Sequence, residues 1–337
     1  MNSQRLLSLY RTMARIRSFE NAAESASRGG VAVFGSGAVS DAARVRGPLH
    51  LSTGQEAVAA GVCASLTRGD YLTSTHRGHG HSIAKGADPR AMMCELFGKS
   101  TGTNGGKGGS MHIADFSVGM LGANGVVAAG IPIAVGAAHA IRIRGGQEIV
   151  ACFFGDGAIN RGPFLEGLNW SRVFNLPLLF VCEDNCYSAT TATGAMTGGD
   201  GAAARAGSIG IPAEVVDGND VIAVDEAAAA LAARVRGGPG PQFLHCITYR
   251  IKGHVSVDAA AYRASAELEQ ALDRDPLGLA EQRLAALGVG ADEIERVQLD
   301  ADAEVAAAVA AADAAPWPSE AAAYTDVQDC GAGRWRR

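Results

Sequence analysis

Charged residues are sparse in this chain. Asp, Glu, Lys and Arg make up 19% of its 337 residues, against about a quarter in an ordinary soluble domain. A surface so lightly charged is one that partner chains can cover. The formal charge is −6 at pH 7, and a chain of that sign argues against nucleic-acid binding, which relies on clustered Lys and Arg. No run of 18 or more apolar residues is present, so no membrane-spanning helix is expected. The first twenty residues are rich in Arg, but they have no cleavage-like end and they contain or adjoin Glu20 and Glu24. Leu6, Tyr10, Met13 and Phe19 recur there at helical spacing, so a packed amphipathic helix explains the segment better than a targeting peptide does. The seven cysteines are odd in number and scattered. With no signal peptide, reduced thiols and a cytoplasmic location are expected. Cys182 and Cys186 lie four apart without a second pair, so a thiolate metal site is not expected.

What the chain does have is apolar residues, 47% of the total, and 44 glycines. That is enough for a sizeable core and for close approach of backbone to a ligand. The length allows one large α/β domain with appendages or two domains. Residues 1–27 read as a helix and 28–47 as a Gly-rich loop. Helices are expected over 54–66, 89–98 and 129–144, with an irregular glycine-rich connection over 100–125. A strand over Glu148–Phe154 leads through Gly155-Asp156-Gly157 into a helix carrying Pro163, Leu165, Leu168 and Val173. Strands over Leu176–Cys182, Glu214–Val216 and Gln242–Tyr249 follow, with a helix over Asp225–Arg236 between the last two. Residues 253–262 read as a loop and 264–314 as exposed, Ala-rich helix. This alternation predicts an α/β fold, a parallel sheet covered by helices on both faces. The expected divisions are an N-terminal helix and loop over 1–50, the α/β domain over 51–262, and a helical C-terminal extension over 263–337.

The chemistry concentrates where strands end. Gly155-Asp156-Gly157 stands between a buried strand and a helix, the place where parallel sheets bind ligands. A helix N-terminus there offers backbone N–H groups to a phosphate. An aspartate facing phosphates repels them unless a cation sits between, so Asp156 implies a divalent ion. The next strand ends in Glu183-Asp184-Asn185, with 26 residues separating Gly157 from Asp184. Adjacent parallel strands place Asn185 beside Asp156. A carboxylate, an amide oxygen and phosphate oxygens form the hard shell that magnesium prefers. The Gly102–Gly109 stretch mimics a P-loop, but Lys107 is followed by Gly108 rather than Ser or Thr, so nucleotide binding is rejected there.

These motifs resemble a known family. GDG followed by Asn resembles the thiamine-diphosphate signature. HLSTGQEA (50–57), STHRGHGHSIAKG (74–86), KGGSMH (107–112), GANGVVAAGIPIAVGAA (122–138), FFGDGAINRG (154–162), LPLLFVCEDN (176–185), VDGND (216–220) and RIKGH (250–254) occur in order. Together they are similar to the alpha subunit of the decarboxylating component of pyruvate, branched-chain 2-oxo acid and acetoin dehydrogenase complexes, over about residues 5–325. THRGHGH looks closest to the acetoin branch.

The resemblance implies a thiamine-diphosphate-binding fold with thiamine diphosphate and Mg2+ as cofactors. Asp156, the side chain of Asn185 and the main-chain carbonyl of Tyr187 would ligate the metal. Gly157 and Ala158 would offer N–H groups to the diphosphate. His76 and Arg77 would lie near it, and Arg250 and His254 on its phosphate-binding loop. Gly125 and Val127 would hold the aminopyrimidine, and His50 would face the substrate. Arg77 and Arg250 carry forked donors suited to a diphosphate, and His50 and His254 are the candidate catalytic acid–base groups. His79 is a further candidate for contact, whereas His112, His139, Gln55 and Glu56 read as structural.

By the same resemblance a separate beta subunit supplies the glutamate that activates the aminopyrimidine. The enzyme would be an alpha2-beta2 heterotetramer that passes an acyl unit to a lipoyl-bearing acyltransferase. Asp184 replaces the family's usual first Asn, Arg161 a common Gln, and Val255 a common Ser. The segment 30–46 looks longer than usual. A split ketol transferase of the transketolase type and a non-catalytic assembly subunit stay open at this point.

Overall fold

The computed structural model describes residues 1–28 and 43–326; most of the long segment expected over 30–46 therefore lies outside the described residues. The chain order is α1 (Ser3–Ser27), α2 (Glu56–Cys63), β1 (Tyr71–Thr73), α3 (His79–Lys85), α4 (Pro89–Leu96), β2 (Met120–Gly122), α5 (Gly130–Arg144), β3 (Val150–Gly155), α6 (Gly162–Val173), β4 (Leu178–Asp184), β5 (Tyr187–Ser188), β6 (Thr191–Ala192), α7 (Gly201–Ser208), β7 (Ala213–Asp217), α8 (Val221–Arg236), β8 (Gln242–Ile247), α9 (Ser265–Leu272), α10 (Pro276–Ala286) and α11 (Ala291–Ala314).

Six strands form one parallel sheet in the order β2-β1-β3-β4-β8-β7. The continuous apolar runs of β3 and β4 have a simple cause, since both faces of the sheet are buried. Ala151, Phe153, Leu179 and Val181 face the cluster built by α1, α2, α8 and α11. Cys152, Phe154, Leu178 and Phe180 face the one built by α5 and α6. From β1 the chain crosses to β2 on one side, and β3 and β4 follow on the other, so the order reverses at the β1/β3 boundary. A crevice opens at such a reversal, beyond the carboxyl ends of the strands.

β1, β2 and α3 carry no sequence signal. The two strands have three residues each, too few to show a period. In α3 the buried positions include His79, His81, Ser82 and Lys85, so its inward face is polar. The helical expectation over 264–314 holds; its exposure holds for α9, which buries no residue, but not for α10 and α11. In α11, Val297, Ala301, Val305, Ala308 and Ala312 form one buried stripe, and the last three join the same core as Phe19 and Val58.

The glycine-rich connection is explained by one carboxylate. Glu95 is fully buried; its Oε2 accepts the N–H groups of Asn104 and Gly106 (both 2.8 Å), and its Oε1 those of Gly108 (2.7 Å) and Gly109 (3.0 Å). A Cβ on Gly102 would lie 2.4 Å from Glu95 Oε2. The P-loop-like N–H groups are thus already filled, in line with the rejection of nucleotide binding. Glu95→Ala is expected to destabilise the chain by about 3 kcal/mol or more, because four half-buried N–H donors lose their shared acceptor. Urea denaturation checks this, and a loss below about 1 kcal/mol contradicts it.

Candidate active site

The crevice is a cavity of about 970 Å³ including its open mouth. Twelve of the thirteen site candidates read from the sequence line it, His79 being the exception. β1 delivers Ser74 to Arg77, β3 delivers Asp156 to Ala158, and β4 delivers Asn185. The register pairs Gly155 with Glu183, which sets Asp156 and Asn185 just past neighbouring strand ends.

One end of the cavity is acidic. Asp156 is 2% exposed. Burial first, and the nearby Asp184 second, push its carboxyl up to about 7 against the pull of the N–H groups of Asp156 and Gly157. A carboxylate so disfavoured is one that a bound cation would stabilise in its charged form. Thr193, in the turn after β6, donates its hydroxyl to Asp156. Asp184 is tied elsewhere, to the Cys186 N–H (3.1 Å) and to His245 Nε2 (2.9 Å), so the Asn-to-Asp departure leaves Asn185 in place. Asn185 Oδ1 accepts the Tyr187 N–H at 3.2 Å. Its Nδ2 donates to Gln55 Oε1 at 3.3 Å.

The turn after β3 differs from expectation. Helix α6 does not start at GDG: a 3-10 turn over Asp156–Asn160 comes first and α6 begins at Gly162. The donors near a phosphate are therefore those of the tight turn, as in an anion nest. A Cβ on Gly157 would lie 2.3 Å from Ser188 Oγ and 3.0 Å from its Cβ, so a side chain there would displace Ser188.

The other end is basic. Arg77 is 4% exposed and Arg250 1%. Burial and then the neighbouring Arg250 bring the Arg77 guanidinium down to about 9, and burial lowers that of Arg250. Arg77 donates to the carbonyls of Leu51 (2.8 Å) and His254 (3.2 Å). Arg250 donates to those of Ala189 (3.0 Å) and Lys252 (3.2 Å), and bonds the Tyr262 hydroxyl at 2.9 Å. Neither guanidinium is ion-paired with a carboxylate among the described residues, and the buried Glu20 and Glu183 offset the Arg77 charge only in part, so the two form a receptor for an anion.

His50, His76 and His254 meet ring to ring, with centroids 4.5, 5.0 and 5.7 Å apart. Burial and then Arg77 hold their pKa values down, to about 3, 2 and 4 respectively, so all three are neutral at pH 7. Gly125 and Val127 form the lip, and Val127 is 45% exposed there. Ala128, Cys186 and Ala189 adopt φ of 72°, 65° and 52° around the cavity, strained positions of the kind that gather at binding sites.

Not every candidate reaches the cavity. His79 is fully buried between Glu20 (2.8 Å) and Ser110 (2.9 Å). His139 receives the Trp170 indole N–H at 3.0 Å. Cys182 is buried and Cys186 exposed, both free thiols. Sequence reading missed Thr193 and Ser188, which reach the site only through the β5–β6 hairpin, and the contact of Gln55 with Asn185. The GQE run was the one available signal for the last of these.

The model of the dehydrogenase E1 component family matches residues 37–320. The alpha subunit of acetoin:2,6-dichlorophenolindophenol oxidoreductase from Cupriavidus necator is 44% identical over 97% of this chain and 95% of its own length. Its namesake from Bacillus subtilis is 39% identical over 97% and 94%. The pyruvate dehydrogenase E1 component subunit alpha of Zymomonas mobilis is 36% identical over 96% and 88%. With that match over most of its length, and a parallel sheet whose strand ends carry the GDG and Asn185 segments, the chain belongs to the dehydrogenase E1 component family.

Proposed function

We propose that this chain is the alpha subunit of a thiamine-diphosphate- and magnesium-dependent dehydrogenase that cleaves acetoin and passes the two-carbon unit to the lipoyl arm of an acyltransferase. The observation that carries the reading is one cavity lined by a buried carboxylate, Asp156, and two buried guanidiniums, Arg77 and Arg250, none of them in an ion pair among the described residues. A magnesium diphosphate satisfies both. Asp156, Asn185 and the Tyr187 carbonyl are the hard oxygen donors for the ion. The turn at Gly157-Ala158, together with Arg77 and Arg250, receives the phosphates, and Gly125 and Val127 flank the cofactor's aminopyrimidine.

When bound, thiamine diphosphate supplies a ring that accepts the electron pair released as a bond to the substrate carbonyl carbon breaks. The chain's own residues do the rest. His50 and His254 face the substrate end as neutral imidazoles. An anion against Arg77 and Arg250 offsets the charges that hold these imidazoles down, which raises their basicity. They can then take the hydroxyl proton of acetoin as it is cleaved. A 2-oxo acid has no such proton to give, and this favours acetoin, as do the names of the two acetoin relatives. Val126 and Val127 stand exposed at the lip, 64% and 45%, and a beta subunit in an alpha2-beta2 heterotetramer would cover them and supply the activating glutamate. The free thiols suit the cytoplasm.

The test is oxidation of acetoin and of pyruvate with an artificial electron acceptor, by the chain alone and in mixture with a beta subunit of the same enzyme family. We expect activity only in the mixture, with kcat/KM for acetoin at least about 100-fold above that for pyruvate, about 2.7 kcal/mol. Activity of the chain alone would refute the two-subunit reading. A preference for pyruvate would refute the substrate.

A further inference from the structure

Three residues of the GQE segment are held in unlike ways. Gly54 has φ of 97°, and a Cβ there would meet the Tyr249 carbonyl at 2.5 Å. Its N–H goes to Glu56 Oε2 at 2.9 Å, and Glu56 Oε1 is paired with Arg17 at 2.5 Å. The Thr53 carbonyl accepts the Ile251 N–H (3.0 Å), and the Gln55 N–H bonds the Ser52 carbonyl (2.9 Å). The backbone on either side of Gln55 is therefore fixed by the segment that follows β8, by α1 and by its own turn. Glu56 is an anchor. Gln55, only 1% exposed, is the member of the segment whose side chain reaches the cavity, where it meets Asn185.

The direction of that contact follows from donors alone. The Tyr187 backbone N–H can only donate, so Asn185 must present its oxygen to it. The Asn185 amino group then faces Gln55, and Gln55 must present its own oxygen. The amide of Asn185 is thus locked in one of its two orientations, with one lone pair of Oδ1 bonded to Tyr187 and the other left for the cavity. Without Gln55 the buried amino group loses its partner, and the orientation of the amide rests on the Tyr187 N–H alone, one restraint in place of two.

We propose that Gln55 is a positioning residue that orients Asn185 Oδ1 toward a divalent ion held with Asp156. This rests on the metal reading given above. Groups that orient a ligand from behind usually contribute about 10- to 100-fold in metal affinity. Gln55→Leu keeps bulk but removes the acceptor. Gln55→Glu keeps the acceptor and adds charge.

The experiment titrates Mn2+ into the alpha–beta complex with thiamine diphosphate, reading bound and free ion by electron paramagnetic resonance. The expected result is an ion Kd at least about 10-fold weaker in Gln55→Leu, a Gln55→Glu value equal to or tighter than that of the unmodified chain, and complete loss of the site in Asp156→Ala. An unchanged Kd in Gln55→Leu overturns the proposal. So does a Gln55→Glu variant as weak as Gln55→Leu, because the acceptor would then not matter. A raised substrate KM with ion affinity intact also overturns it, by making Gln55 a substrate contact. Should Asp156→Ala itself leave Mn2+ binding unchanged, the metal reading fails instead. Melting temperatures of all three variants separate these results from misfolding.

Discussion

Asp156→Ala is expected to abolish magnesium-dependent cofactor binding and to lower kcat/KM of the assembled enzyme by about 1000-fold or more, about 4 kcal/mol. Asp156 lines the acidic end of the cavity, and burial and Asp184 have pushed its carboxyl up to about 7. Its folded pKa is thus raised above the ordinary carboxylate value. The folded chain without metal holds that proton more tightly than the unfolded chain does, so stability is lost as pH rises from about 4 to about 7. Asp156→Asn removes this cost. At pH 8 the metal-free Asn variant should melt higher than the unmodified chain, and near pH 4 the two should converge. Metal binding has the opposite pH dependence, because the ion must displace the proton. Magnesium affinity should fall about tenfold per unit as pH drops below 7. Calorimetry in two buffers of different ionisation enthalpy reads the released proton directly. A pH-independent affinity between 5 and 7 would mean that Asp156 is not the ligand.

Arg250→Leu is expected to weaken cofactor binding by about 100-fold, with Arg250→Lys recovering little of it. A charge-assisted hydrogen bond contributes about 1.5–3 kcal/mol, and Arg250 is 1% exposed, where water cannot substitute for it. The lysine result follows from shape. The guanidinium of Arg250 serves Ala189, Lys252 and Tyr262 at once, and a single ammonium cannot span that fork. The measurement is the cofactor Kd by calorimetry in the assembled complex, beside melting temperatures of the metal-free chains. A lysine variant with unmodified affinity would show that Arg250 acts as a point charge or not at all.

Much of the fold is legible along the chain because burial on both faces leaves a plain trace. β3 and β4 read as unbroken apolar runs, and α5 as a run of small residues. β1, β2 and α3 are invisible for the opposite reason. Three-residue strands show no period, and α3 is buried through His79, His81, Ser82 and Lys85, side chains that a pattern of apolar residues passes over. Exposure of α11 was misjudged because a stripe of small residues, Val297, Ala301, Val305, Ala308 and Ala312, does not stand out in an Ala-rich helix until α1 packs on it. His79 illustrates the same limit at the site. It lies two residues from Arg77, yet the turn into α3 points it at Glu20 rather than into the cavity.

The sequence by itself determined the α/β class, the family and the cavity-lining set from His50 to His254. Those properties reside in local strings such as GDG, HRGHGH and RIKGH, whose residue types carry their chemistry with them. Only the tertiary structure decided which groups meet. It brought Thr193 to Asp156 across 37 residues and Gln55 to Asn185 across 130. It also gathered three histidines from separate segments into one neutral cluster and placed Arg77 where Arg250 shares its burial. Charge state and amide orientation depend on distances between segments remote in sequence. Such distances are set when the sheet forms, and no local pattern encodes them.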